Sequence, residues 1–205
     1  MSPLDLLGLT LGTSFAAGLN LYATVAAAGL FQRFGWVELP AGLQVLANPV
    51  VLGIALVLFV VEFVADKIPL VDSVWQAVHT FVRPPAAMIL SVAALGHMDP
   101  GWQVAAALLA GSVALTSHGA KTSARAAANT SPEPVSNWTL SLSEDGLAIF
   151  LTWLATEHPI IAVAIVLVLL VVAVVVIRML FRFVRTRVIP LLRRGERLFR
   201  AEQGP

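Results

Sequence analysis

The run PIIAVAIVLVLLVVAVVVI, from Pro159 to Ile177, is nineteen residues long and carries no charge. That is close to the ~20 residues a helix needs to cross the hydrocarbon of a bilayer. The rest of the chain has the same bias: of 205 residues, 58% are hydrophobic and only 12% charged, and the mean hydropathy is +0.86. This is more apolar surface than one soluble core of that size needs, so the chain reads as an all-α integral membrane protein. There is no cysteine, which excludes disulfides, thiol nucleophiles and thiolate metal sites. The opening MSPLDLLGLTLG lacks the basic first region of a secretory signal and carries Asp5 instead, so it is expected to stay as part of the first span.

Charge is placed unevenly. Eight of the thirteen Lys and Arg fall in the last 28 residues beside only Glu196 and Glu202, which gives the tail +6 and the remainder −5. A basic tail directly after a span puts residues 182–205 in the cytoplasm, where they also suit anionic lipid headgroups; no nucleic-acid partner is expected.

One transmembrane domain, 1–181, is expected, a helix bundle of about six membrane segments near 4–31, 49–65, 84–98, 102–118, 142–157 and 159–180. Counting all six as crossings puts both termini in the cytoplasm and agrees with the positive-inside rule in a cell inner membrane. The segments 84–98 and 102–118, joined by HMDPGW, are short, so they are either two crossings or a re-entrant hairpin. Ser141 and Glu144 have capping-box spacing and predict a helix starting near Leu142. Gly8 and Gly12 form a GxxxG face suited to helix packing and compatible with a homodimer. Aligning Gly12 with Gly111 sets GTSFAAGLNLYATVAAAG beside GSVALTSHGAKTSARAAA. Either this is chance among Ala-rich and Gly-rich helices, or the chain is an inverted repeat of two three-segment halves.

The scarce internal charges form patterns. At ~100° per residue, Asp72, Gln76, His79 and Arg83 lie within one narrow stripe of a helix over 71–83, opposite Val71, Val74, Val78 and Phe81. A helix over 118–129 repeats the spacing, with His118, Arg125 and Asn129 at i, i+7 and i+11 and Lys121 beside them. An ionised side chain at mid-bilayer costs ~2.5 to 3.5 kcal/mol on insertion scales, so neither stripe faces lipid. The stripes either line a polar cleft or lie in water on surface helices. Glu62 ends an apolar run four residues from Asp66, on the same helix face, where it either carries a proton or pairs with a nearby base. Asn20 sits in the middle of the first segment, tying helices together or facing the pathway. The histidines and carboxylates have no tight metal-ligand spacing, and hydrolase and nucleotide motifs are absent, so no metal, cofactor or catalytic residue is assigned.

VEFVADKIPLVDSVWQAVHTFVRPPA followed by SHGAKTSARAAANTSPEPVSN resembles a family of small multi-pass bacterial membrane proteins catalogued only as a domain of unknown function. The resemblance implies a compact polytopic protein and supplies no activity. From the residues we expect a transporter or channel-like protein that moves a small ion, an organic anion or a phosphate-bearing lipid, with proton coupling an option. Its pathway would be lined by Asn20, Glu62, Asp66, Asp72, His79, Arg83, His118, Lys121, Arg125 and Asn129. The alternative is a membrane scaffold or assembly factor whose stripes form internal salt bridges.

Overall fold

The computed structural model describes residues 2–128 and 134–188; Asn129 and the basic tail beyond 188 lie outside them. Seven α-helices follow in order: α1 Pro3–Leu19, α2 Leu21–Arg33, α3 Pro49–Ala65, α4 Pro69–Ala94, α5 Pro100–Ala128, α6 Pro134–Glu157 and α7 Pro159–Phe183. A 3-10 segment, Ala41–Ala47, precedes α3, and a π turn, Val184–Val188, follows α7. Six of the seven helices begin at proline, whose fixed φ suits the first turn and whose missing N–H would have had no helical partner there. The exception is α2, which starts inside the bundle behind Asn20.

Helix α1 is the centre of the fold. Every residue from Gly8 to Leu19 is buried, with α4, α5, α6 and α7 packed around it. Small residues make this possible. A Cβ on Gly8 would strike Pro159, one on Gly12 would strike Ala155, and one on Gly18 would strike Ser117 and Ala114. The GxxxG face is therefore occupied by α6 and α7 of the same chain.

These contacts also fix the direction of the chain. The first turns of α1 share an apolar groove with Leu95, Met98 and Trp102, so α1 starts at the end of the bundle that carries the α4–α5 turn and, through Pro159, the α6–α7 turn. It descends to Leu19, and α2 then climbs back to where Gly29 meets Leu46 and Gly42 meets Ala93, again at the α4–α5 end. The segment 4–31, expected as one continuous span, is thus a pair of helices, α1 and α2, folded back on each other at Asn20. The start of α1 and the end of α7 lie at opposite ends of the bundle, while the C-terminal tail beyond 188 lies outside the described residues. Of the stretches aligned around Gly12 and Gly111, the first is broken at Asn20 into α1 and α2 whereas the second lies within the single helix α5.

Two further boundaries differ from expectation. The 71–83 stripe and the 84–98 segment are one helix, α4, because Pro84 and Pro85 sit inside it without ending it. Proline there removes the helical partners of the Thr80 and Phe81 carbonyls but still permits α-helical φ. Likewise 102–118 and the described part of the second stripe, 118–128, belong to one 29-residue helix, α5. Helix α6 begins at Pro134, and Ser141 is buried within it instead of capping it.

The exterior is apolar and the interior polar. Val50, Ile54, Val57 and Val64 of α3 and Leu167, Val168, Val171 and Met179 of α7 point outward, whereas Glu62, Arg83 and Arg125 are buried. Such a surface suits lipid and is far larger than a soluble monomer leaves exposed. Two helical stretches, Leu70–Ala94 and Pro159–Thr186, are long and apolar enough to cross a bilayer; a third span exists if Ala41–Ala47 and Pro49–Ala65, bent by 66°, count as one. The chain has no cysteine, so single cysteines report sidedness directly. In sealed vesicles of one orientation, Ser2→Cys and Glu38→Cys should react with an impermeant maleimide from the same side and Arg182→Cys from the opposite side.

Candidate functional site

The break at Asn20 creates the site. Asn20 is extended, φ −148 and ψ 104, so the helical ladder stops and the last carbonyls of α1 lose their partners inside the bundle. In an apolar surrounding each needs another donor. The Asn20 N–H serves Ala16 O, Ser117 Oγ donates to Phe15 O at 2.9 Å, and Arg83 Nη1 donates to Gly18 O at 2.6 Å and Leu19 O at 2.9 Å. Lys121 Nζ adds a second bond to Leu19 O at 2.9 Å. Two cations thus cap the negative end of the α1 dipole.

Those cations gather carboxylates. Arg83 Nη2 donates to Glu62 Oε1, which also accepts from Lys121 Nζ at 3.1 Å. Lys121 further reaches Asp66 Oδ2 at 3.1 Å and Glu144 Oε2 at 3.5 Å. Arg125 holds Asp66 through its main-chain oxygen at 2.7 Å and Oδ2 at 2.8 Å, grips Glu144 Oε2 with Nε and Nη2 at 3.0 and 2.6 Å, and stands 3.6 Å from Asp72. Gln76 Nε2 bridges Asp66 and Asp72 at 3.2 and 3.1 Å.

The two expected stripes face one another, with Arg83 against His118 and Asp72 against Arg125, as antiparallel α4 and α5 require. Arg83 Nη1 donates to His118 Nδ1 at 2.9 Å, so the proton of that ring sits on Nε2, toward Thr80 Oγ1 and Gln76 O. His79 donates from Nδ1 to Trp75 O at 2.8 Å and accepts from the Tyr22 hydroxyl on Nε2 at 3.1 Å. Both rings are assigned as neutral tautomers on these partners.

Nine of the ten expected residues, Asn20, Glu62, Asp66, Asp72, His79, Arg83, His118, Lys121 and Arg125, meet in this cluster, and none is more than 3% exposed. A surface helix over 71–83 is therefore ruled out. The tenth, Asn129, lies outside the described residues. Sequence reasoning missed Glu144 and Asp145, reading Glu144 only as part of a helix cap. Two adjacent acids ahead of a long apolar stretch were the available signal. Asp145 accepts from Asn20 Nδ2 at 2.7 Å, while Asn20 Oδ1 caps α2 through Ala23 N at 2.9 Å.

The ledger of charge does not close. Among the described residues, Glu62, Asp66, Asp72, Glu144 and Asp145 supply five carboxylates, and Arg83, Lys121 and Arg125 supply the three cations that contact them directly, two fewer than the acids. Lys67 makes no direct ion pair with these acids, since its Nζ lies over the Phe63 ring and donates to Phe63 O at 2.8 Å, and it acts on Asp145 and Asp66 only through space. Among the described residues, Glu62 Oε2, Glu144 Oε1, Asp145 Oδ2 and Gln76 Oε1 are buried without a hydrogen-bond partner. A cleft of about 330 Å³, lined by Asp72, Ser73, Gln76, Thr80, Thr122 and Arg125, reaches the edge of the cluster.

The model of a family described as "Domain of unknown function (DUF4126)" matches residues 7–179. No curated protein and no solved structure matches the chain.

The network predicts strong coupling between its members. Removing one partner of a buried ion pair costs ~3–5 kcal/mol, because the other charge is left uncompensated. Arg83→Gln should lower stability in detergent by about that amount, and Glu62→Gln combined with Arg83→Gln by clearly less than the two single losses together. Thermal unfolding of the four proteins checks this. Arg83→Lys should not rescue, since an ammonium cannot reach Glu62, Gly18 and Leu19 with the geometry of a guanidinium fork.

Proposed function

We propose, from the premise that the chain belongs to the DUF4126 family, that this member is a cytoplasmic-membrane transporter or channel-like protein that moves a small ion through its polar interior. The observation that carries the reading is the broken helix. The α1–α2 hairpin ends its first arm at the centre of a charged cluster drawn from α3, α4, α5 and α6. Interrupted helices whose ends meet ions at membrane depth are a recurring device of ion-handling membrane proteins.

The charge ledger favours a cation. All three bases of the cluster are engaged by carboxylates or carbonyls, with only Arg83 Nε among their donors buried and unpartnered among the described residues, so an organic anion or a lipid phosphate would have to displace existing partners for all but one bond. An incoming cation instead meets buried acceptor oxygens without donors. The positive-inside rule favours an orientation with the end that carries Lys67, Arg178, Arg182 and Arg185 toward the cytoplasm and the first turn of α1 away from it. The basic tail then meets anionic headgroups of the inner leaflet.

The alternative, a scaffold held together by internal ion pairs, is favoured by one observation: the Arg83–Glu62 and Arg125–Glu144 pairs are fully formed and buried. Flux separates the two. Proteoliposomes loaded with a pH-sensitive dye and given a potassium diffusion potential should dissipate the imposed gradient faster than empty liposomes. Glu62→Gln and Arg83→Ala, checked for intact folding, should each slow this at least tenfold. Wild-type vesicles as tight as empty ones to protons, sodium and potassium would leave the scaffold reading in place.

A further inference from the structure

Asp145 differs from the other four carboxylates. Glu62, Asp66, Asp72 and Glu144 each have a guanidinium or ammonium within 4 Å, but Asp145 has none among the described residues. It is 5% exposed, its Oδ1 accepts only from Asn20 Nδ2, and its Oδ2 has no partner. The charged groups that face it are Lys121 from α5, Glu62 from α3, and Asp66 and Lys67 from the α3–α4 turn. Both ammonium groups are committed elsewhere, Lys121 to Glu62, Asp66 and Leu19 O, and Lys67 to Phe63. Both ammonium groups therefore act on Asp145 only through space, and a buried carboxylate without a directly contacting cation is costly to hold as an anion.

We propose that Asp145 is the site at which a single positive charge, a proton or a small alkali cation, is taken up from water and given back. The inference deepens the transport reading and rests on it. In the proton case Oδ2 gains H⁺ from the aqueous phase, the carboxylate becomes a neutral acid, and release restores the anion. In the alkali case the cation lies against Oδ2 and the anion persists. Occupancy is communicated through one residue. The Asn20 amide that donates to Asp145 belongs to the same side chain that caps α2 at the break, so the state of Asp145 bears directly on the α1–α2 joint.

Infrared difference spectroscopy on the full chain reconstituted in lipid tests this. With N-methylglucamine as the only other cation, wild type should show a protonated-carboxyl band at neutral pH that Asp145→Asn removes and Asp145→Glu displaces. If the site prefers an alkali cation, adding sodium should abolish the band in wild type and restore it on exchange back. Should Asp145→Asn fail to reconstitute, the displacement in Asp145→Glu carries the same information. An ionised Asp145 in both media, at every pH at which the protein stays folded, overturns the proposal. The flux assay is read separately: a band at Asp145 in vesicles that pass no ion would sink the transport reading and leave the cation site standing.

Discussion

The structure depends on the cost of leaving peptide carbonyls without donors in an apolar medium. Helix α1 stops inside the bundle, and the oxygens of Gly18 and Leu19 must be satisfied there by something other than water. Arg83 and Lys121 do so, and their charges then require Glu62, Asp66 and Glu144 to come to the same place. Arg125 follows to hold the second and third of these, and α4, α5 and α6 are aligned by the pairs. The apolar outer faces supply the solvent in which this arrangement is obligatory.

The sequence disclosed what depends on period and composition. The uncharged run before Arg178 marked α7, and the i, i+7, i+11 spacing marked both charged stripes and their mutual approach. The fold hidden from it was the break, since Asn20 lies between apolar neighbours with no proline or glycine adjacent, and only the tertiary donors make an extended residue stable there. Conversely, Pro84 and Pro85 looked like an ending but are carried inside α4, because packing against α5 outweighs two lost hydrogen bonds. Asp145 was overlooked for a third reason: its importance comes from the partner it lacks, which no spacing in a single helix encodes.

Ion pairs in a low-dielectric interior ordinarily argue for a fixed structure, and most of this cluster fits that description. What separates it from a closed network is its imbalance. A wholly structural solution would match acids with bases or replace both with apolar side chains, an exchange that is often neutral or favourable. Five acids against three directly paired bases among the described residues, with acceptor oxygens left over, is the imbalance on which the proposed cation reading rests.

The proline pair in α4 has a mechanical consequence. With the Thr80 and Phe81 carbonyls released from helical pairing, α4 comprises two stiff rods sharing a compliant elbow. The upper rod is lodged by its backbone against Gly42 and by Pro84 and Met88 against Gly111. The lower rod carries Asp72, Gln76 and His79, with Arg83 at the elbow itself. Any bend at that elbow would move Asp72 of the lower rod relative to Arg125 while the apolar half of the helix stays still, with its pivot beside the guanidinium that holds the broken helix.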